Sequence, residues 1–377
     1  MPLPGSLVRP GFPGPAAAAA AVAAIAAALL LTAADSPPVW IARKLDAARV
    51  DVVKQNGGYF PVLIRLDNGE LGAAVRGGAT HVGPLGRLDW VRSLDGGKTW
   101  HRQQTPLADA EMDDRNPAVG QLRDGTVLVT YTIDRSYDAT GKRIRPLHRD
   151  SFWTVRSSDR GRTWQAPRKS PIAVEHGASP YGKMVELPDG TLLMNVYYER
   201  GPQLEHETSY VFRSRDGGAT WGDESLIADH FNETSLTLLP GGRLLAVARA
   251  HHGQFLSTTF SSDKGRTWSP PQRITGDHEH PADVIVLKDG RLLLVHGERN
   301  RPFGVQARLS NDLGAHWEPE VIHLATDAQS RDCGYPSSVE TAPGRIVTVY
   351  YGVDGDVNRL EGAYARAVLW TVPPRSK

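Results

Sequence analysis

One phrase recurs five times along this chain and constrains its fold more than any other feature. The skeleton is Ser-x-Asp-x-Gly-x-Thr-Trp, ending at Trp100, Trp164, Trp221, Trp268 and Trp317, with His316 in place of Thr in the last copy. Copies 47 to 64 residues apart imply an array of small, similar units. The phrase also reads physically as a turn. Ser and Asp hydrogen-bond nearby backbone, Gly accepts a positive φ, and Trp anchors the turn on the strand that follows.

A second repeat runs beside the first. An apolar run, a Gly turn and another apolar run occur six times, at Asp67-Asn68-Gly69, Arg123-Asp124-Gly125, Pro188-Asp189-Gly190, Pro240-Gly241-Gly242, Lys288-Asp289-Gly290 and Pro343-Gly344. Such turns between apolar runs signal hairpins. The runs, such as Val284-Ile285-Val286-Leu287, alternate little, as expected of strands buried between neighbouring units. Six hairpins predict an all-β, six-bladed β-propeller. The last blade is short of a strand. Val50-Asp51-Val52-Val53 is predicted to supply it by pairing with residues 362–372, which closes the ring.

Composition narrows the function. Lys plus Arg number 43 against 42 Asp plus Glu, and no basic stripe points to nucleic acid. Cys333 is the sole cysteine, so no intrachain disulfide forms. Residues 1–34 stand apart from residues 35–377, which form the propeller. An apolar run over residues 16–31, then Thr32-Ala33-Ala34, reads as an export signal cleaved near Asp35. The expected location is secreted or periplasmic, with no stable membrane insertion after cleavage. The alternative is an anchor formed by the same run.

Topology points to a site. In each hairpin, the ends away from the turn meet around one mouth of the axis. Lead-in segments such as Asp113-Asp114-Arg115-Asn116-Pro117, Asn232-Glu233-Thr234 and Gly334-Tyr335-Pro336 converge there. So do Arg76 to His81, Arg249 and Glu298-Arg299-Asn300-Arg301 from the far ends. Charge, His and Tyr crowded beside the most apolar strands suggest a polar ligand pocket. Bland readings stand beside this one. Glu233, Arg249 and Arg301 also suit structural ion pairs, Tyr335 suits a packed aromatic, and His81 suits a solvated loop. His278 and His280 lack a clear third ligand, so no metal is expected.

The repeated phrase is the Asp-box, and the chain resembles the sialidase superfamily over roughly residues 50–372. In that family an Asn-Glu opens blade four, an Arg ends the same hairpin, and a Gly-Tyr precedes blade six. Asn232-Glu233, Arg249 and Gly334-Tyr335 match these features. The resemblance implies a Tyr335 nucleophile, Glu233 as its base, and Arg249 with Arg301 as an anion clamp. Arg299 lies close enough to compete with Arg301. Two features depart from the family. Gly58-Tyr59-Phe60-Pro61 keeps the proline of the blade-one phrase but lacks its arginine, for which Arg115 or Arg76 is a substitute. The loop that carries the family's acid/base Asp offers His81, with Asp113 and Asp114 as alternatives from the next blade.

The implied function is a secreted, exo-acting glycoside hydrolase that cleaves a terminal acidic sugar with retention through the Tyr/Glu pair. The substrate is a glycan, and no cofactor is implied. The alternatives are a non-catalytic glycan-binding propeller, and a polysaccharide lyase that uses His81 and Tyr335.

Overall fold

The computed structural model describes residues 41–44, 47–104, 112–149, 151–172, 174, 177–200 and 206–375. The predicted export signal and its cleavage site lie outside these residues. Strands and turns make up the described chain, and a 3-10 turn at Leu360–Gly362 is its one helical element. No helix among the described residues is long and apolar enough to cross a membrane.

The strands form five sheets in a propeller-like arrangement. One four-stranded sheet is the antiparallel meander Gly57–Arg65, Leu71–Gly77, Arg87–Ser93 and His101–Gln104. The next sheet has eight strands and consists of two such meanders. The first runs from Asp113–Gln121 to Arg168–Pro171, and the second from Ser179–Glu186 to Gly222–Ala228. Their first strands meet through a short parallel pairing, Gly182 with Ala118 and Lys183 with Val119. A further four-stranded sheet runs from Phe231–Leu238 to Gln272–Arg273. The sheet that starts at Ala282–Val286 ends at Glu320–Ala325, where Ile41–Lys44 adds a parallel fifth strand that the sequence did not signal.

The last sheet is Gly334–Ala342, Arg345–Val353 and Ala363–Thr371, completed by Ala48–Val53. Ala48 pairs with Leu369 and Val53 with Ala365, so the expected closure by this segment is present. The first strands of successive meanders pack against one another, and Gly334–Ala342 packs against Gly57–Arg65.

The repeated sequences do the local work predicted of them. In the first Asp-box, Ser93 Oγ accepts from Gly97 N (2.8 Å), and Asp95 accepts from Thr99 N (2.9 Å) and Thr99 Oγ1 (2.7 Å). In the last copy the His316 ring replaces the threonine hydroxyl, with Nδ1 2.6 Å from Asp312 Oδ2. The hairpin turn at Gly190 closes with its N–H on Leu187 O (2.9 Å), at a φ of +83° that glycine tolerates. Leu292–Glu298, sandwiched between its sheet neighbours, is buried along its whole length. The apolar faces between sheets form the core, for example Val62, Ala74, Leu88, Trp90, Val119 and Val129.

Candidate active site

Four of the first strands are bulged at their lead-ins, and these bulges build the site. Pairing skips from Tyr59 to Val62, from Arg115 to Ala118, from Phe231 to Thr234 and from Gly334 to Ser337. A bulge bends its strand and re-aims the unpaired side chains. The skipped residues Phe60, Pro61, Asn116, Pro117, Asn232, Glu233, Tyr335 and Pro336 all line one cavity of about 190 Å³. Phe60, Asn116 and Tyr335 hold left-handed backbone, at φ +52°, +56° and +47°. That conformation is costly for bulky residues and concentrates at functional sites.

Within the cavity the Tyr335 hydroxyl donates to Glu233 Oε1. Arg249 Nη1 lies 2.5 Å from Glu233 Oε2 and 3.5 Å from the Tyr335 hydroxyl. All three are largely buried, with side-chain exposures of 13% for Arg249 and 6% for Glu233. Burial, then the Glu233 charge, hold the Tyr335 hydroxyl well above the usual phenol range, against the pull of Arg249 and Arg299. The resting side chain is therefore a neutral phenol that donates its proton towards a carboxylate. Burial opposes the Arg249 charge, but the Glu233 carboxylate outweighs it and keeps the guanidinium protonated.

His81 also lines the cavity. Its Nδ1 is 2.7 Å from Asp332 Oδ1, which also accepts from the Tyr351 hydroxyl at 2.6 Å. Burial pushes the Asp332 carboxyl up, but His81 and Tyr351 together hold it below the usual range. The His81 ring meets Phe60 edge-on at 4.9 Å, and Phe60 lies 5.0 Å from the Tyr335 ring. Arg115 lines the cavity too, bonded to Asn116 Oδ1 (3.0 Å), Asp113 Oδ2 (3.1 Å) and His81 O (3.3 Å).

Three expected residues do not reach the cavity. Arg76 is fully buried, with Nε and Nη2 on Asp113 Oδ1 (2.9 and 2.6 Å) and its other bonds on Ala79 O (3.4 Å), Thr80 O (2.5 Å) and Gly83 O (3.1 Å). It sits on a second strand flanked on both sides, so it ties down a loop instead of facing a ligand. Asp114 is buried outside the cavity, its N–H bonded to Gly86 O (2.9 Å). Arg301 is exposed, with Cζ 4.8 Å from the Phe303 centroid. The strand ends at Glu298, so Arg299 emerges first, and its Cζ lies 5.5 Å from the Tyr335 centroid.

Tyr181, in the lead-in Ser179-Pro180-Tyr181-Gly182-Lys183 that the topology also sends to this mouth, lines the cavity. Other lining residues were missed in the sequence. Arg143, Arg145 and Arg149 arrive from the loop after Val127–Asp134, and Tyr197 and Glu207 join the wall. The available signal was an unusual density of arginine after Asp134. Cys333 is buried and burial pushes its thiol up to about 11, which leaves it inert near neutral pH. His278 and His280 both approach Gln254 Oε1, at 3.2 and 3.3 Å. Among the described residues, His206, Asp229 and His230 form a group with metal-ligand spacing, their ligand atoms within 4.8 Å.

Comparison with known proteins places the family. The model of the BNR repeat-like domain matches residues 69–348. A sialidase of Bacteroides fragilis is 22% identical over 260 residues, 61% of this chain and 47% of that protein. A sialidase of Micromonospora viridifaciens is 26% identical over 250 residues, 55% of this chain and 36% of that protein. The chain thus spans less than half the length of these two relatives. Among solved structures, a protein of unknown function from Dyadobacter fermentans superposes with a TM-score of 0.74 at 25% identity, covering 86% of this chain and 98% of its own. The Hadza microbial sialidase Hz136 superposes at 0.68 with 18% identity, covering 86% and 68%, a likeness of fold.

Proposed function

The chain belongs to the BNR repeat-like domain family, and from that premise we propose that it is an exo-acting glycoside hydrolase of sialidase type that cleaves a terminal acidic sugar with retention. The observation that carries this reading is the contact of Tyr335, Glu233 and Arg249 inside a cavity lined by five arginines. A sugar with a carboxylate beside its anomeric carbon repels a carboxylate nucleophile, and a neutral tyrosine avoids that repulsion. The Tyr335 oxygen forms a bond to the anomeric carbon as its proton passes to Glu233. The bond to the leaving oxygen breaks, and that oxygen takes a proton from His81. Asp332 fixes His81 Nδ1, so Nε2 is the ring atom that exchanges this proton. Water then bonds to the anomeric carbon and gives a proton to His81 as the glycosyl–tyrosine bond breaks, and Glu233 returns its proton to the Tyr335 oxygen.

The same reading counts the eight-stranded sheet as two blades, which makes six in all. It also takes residues 1–34 as an export signal, which N-terminal sequencing of the exported protein checks. A panel of fluorogenic exo-glycosides tests the activity. Turnover of an acidic glycoside that Tyr335→Phe abolishes supports the mechanism, and full activity in that variant refutes it. One observation favours a second reading: the catalytic-acid position holds His81, which lines the same cavity as Tyr335. If the enzyme is a lyase, ultraviolet absorbance from unsaturated uronates appears instead. Binding without any turnover points to a silent glycan-binding propeller.

A further inference from the structure

The loop after Val127–Asp134 and the lead-in at Asp113–Gln121 carry a charge imbalance that has no part in the proton transfers assigned to Tyr335, Glu233 and His81. Four guanidiniums crowd there, Arg76, Arg115, Arg143 and Arg149, and they bond two carboxylates. Asp113 gives Oδ1 to Arg76 (2.9 and 2.6 Å) and Oδ2 to Arg115 (3.1 Å) and the Tyr137 hydroxyl (2.6 Å). Asp134 gives Oδ2 to Arg143 Nη2 (3.0 Å) and to Arg149 Nε and Nη2 (3.0 and 2.7 Å). Its Oδ1 accepts the Ser136 N–H at 3.0 Å. Both carboxylates are saturated, and Arg145 from the same loop is paired with Glu199, so the cluster keeps more positive than negative charge.

That charge is held out of water. Side-chain exposure is 5% at Arg115, 4% at Arg149 and 26% at Arg143, and these three line the cavity. Arg143 spends only Nη2 on Asp134, and its buried Nε has no hydrogen-bond partner among the described residues. Burial, then repulsion from Arg115 and Arg149, pull its guanidinium down to about 10. An uncompensated buried cation is costly, and an anion placed against it relieves that cost. Arg249 is a poorer anchor, because its charge is already matched by Glu233 at 2.5 Å.

We propose that Arg115, Arg143 and Arg149 form an anion subsite that takes an oxyanion substituent of the glycan, a carboxylate or a sulfate ester. Fork-shaped guanidiniums suit both groups through paired N–H donors. This deepens the glycosidase reading by placing acid recognition on the loop after Asp134, apart from Arg249 and Arg301. Binding does not require turnover, so either reading can fail alone.

The test is equilibrium binding of glucuronate, N-acetylglucosamine 6-sulfate and glucose to the intact protein at fixed ionic strength. At least one anionic sugar should bind well above glucose. Arg143→Gln should weaken that sugar roughly 30-fold or more, and Arg143→Lys less. The exposed Arg301→Ala should keep wild-type affinity. The sugar that loses affinity in Arg143→Gln identifies carboxylate or sulfate as the group read. The proposal is overturned if glucose binds as well as both anionic sugars, if Arg143→Gln binds normally, or if Arg301→Ala alone loses affinity. Should Arg143→Gln fail to fold, a wild-type crystal soaked with the two anionic sugars decides. An anionic group on Arg143 and Arg149 supports the subsite, and no anionic group there overturns it.

Discussion

Replacing Glu233 by Gln is the sharpest perturbation of the site, because one carboxylate serves two partners. Its Oε1 accepts the Tyr335 hydroxyl, and its Oε2 holds Arg249 Nη1 at 2.5 Å. Gln keeps the shape but cannot take the phenol proton, and removal of a positioned base costs about 10²–10⁴ in kcat. Tyr335→Phe removes the nucleophile and should lose a similar factor. If the two act as one unit, the double variant is no slower than the slower single one. If they act independently, the losses multiply towards about 10⁴–10⁸. Stability responds differently. Glu233→Gln leaves Arg249 buried without its counter-charge, a cost of about 3 kcal/mol, whereas Tyr335→Phe removes one hydrogen bond to a charged group, about 2 kcal/mol. A spectroscopic readout needs no substrate. The Glu233 charge raises the Tyr335 hydroxyl, so its phenolate absorbance should appear at lower pH in Glu233→Gln than in the native protein. Initial rates, urea melts and an ultraviolet titration read all three effects. Multiplying rate losses, or an unshifted phenol, would refute the coupling.

Three further outcomes follow from the geometry. Gly96 stands just before the box glycine, where the second copy carries Arg160, and Gly161 is the box glycine itself; their φ are +71° and +78°, but a Cβ meets nothing within 4 Å at Gly96 and Trp90 Nε1 at 2.1 Å at Gly161. Urea melts should therefore show about 1 kcal/mol lost in Gly96→Ala and about 2–4 kcal/mol in Gly161→Ala. His81→Ala should slow glycosides with poor leaving groups about 10²-fold or more while slowing activated aryl glycosides less than about tenfold, since the latter need little protonation. Thermal melts across pH should fall at both ends. Hydrogen bonds within the box, chiefly from Thr99, depress Asp95 to about 2, so its contribution is full above the unfolded value near 4 and lost as the pH falls through 2. Burial raises Glu298 to about 7, so its contribution fades as the pH rises from about 4 through 7, and Glu298→Gln should flatten that limb.

The fold was legible because its signals are short-range. A box closes its own hydrogen bonds within eight residues, and a Gly turn pairs the runs on either side of it, so neither depends on distant contacts. Glu233, Arg249 and Tyr335 were legible for a related reason: hairpin ends are fixed by the turn, and the ends converge. Residues beyond a strand end lose that constraint. Arg299 and Arg301 differ by two positions, yet one reaches the Tyr335 ring and the other sits on Phe303 in solvent. Arg143, Arg145 and Arg149 belong to a long loop with no periodicity to place it, so their arrival at the cavity depended on distant partners, Asp134 for Arg143 and Arg149 and Glu199 for Arg145. The parallel strand Ile41–Lys44 has no alternation or turn of its own to announce it.

The bulged lead-ins explain how a repetitive fold makes a non-repetitive site. A regular first strand would alternate its side chains between the two faces of its sheet, and none would point along the axis. Skipping two residues at Phe60-Pro61, Asn116-Pro117, Asn232-Glu233 and Tyr335-Pro336 frees those side chains from the ladder. In three of the four the second skipped residue is proline, which lacks an N–H and gives up no ladder bond there. Proline also disfavours helical backbone in the residue before it, and Phe60, Asn116 and Tyr335 adopt the left-handed region. The core between sheets is buried regardless of these residues, so their identity is free to vary without unpairing the strands. Chemistry can therefore differ from one lead-in to the next, with an aromatic at Phe60, an amide at Asn116, a carboxylate at Glu233 and a phenol at Tyr335, while the hairpins behind them stay alike. The Asn232-Glu233 step lacks the proline, and there Thr234 supplies the restraint, its Oγ1 donating to Asn232 O at 2.8 Å and its N–H to Asn195 Oδ1 at 3.0 Å. The carboxylate that must meet Tyr335 is thus held by hydrogen bonds from its own neighbours, in a strand whose pairing resumes at the very next residue.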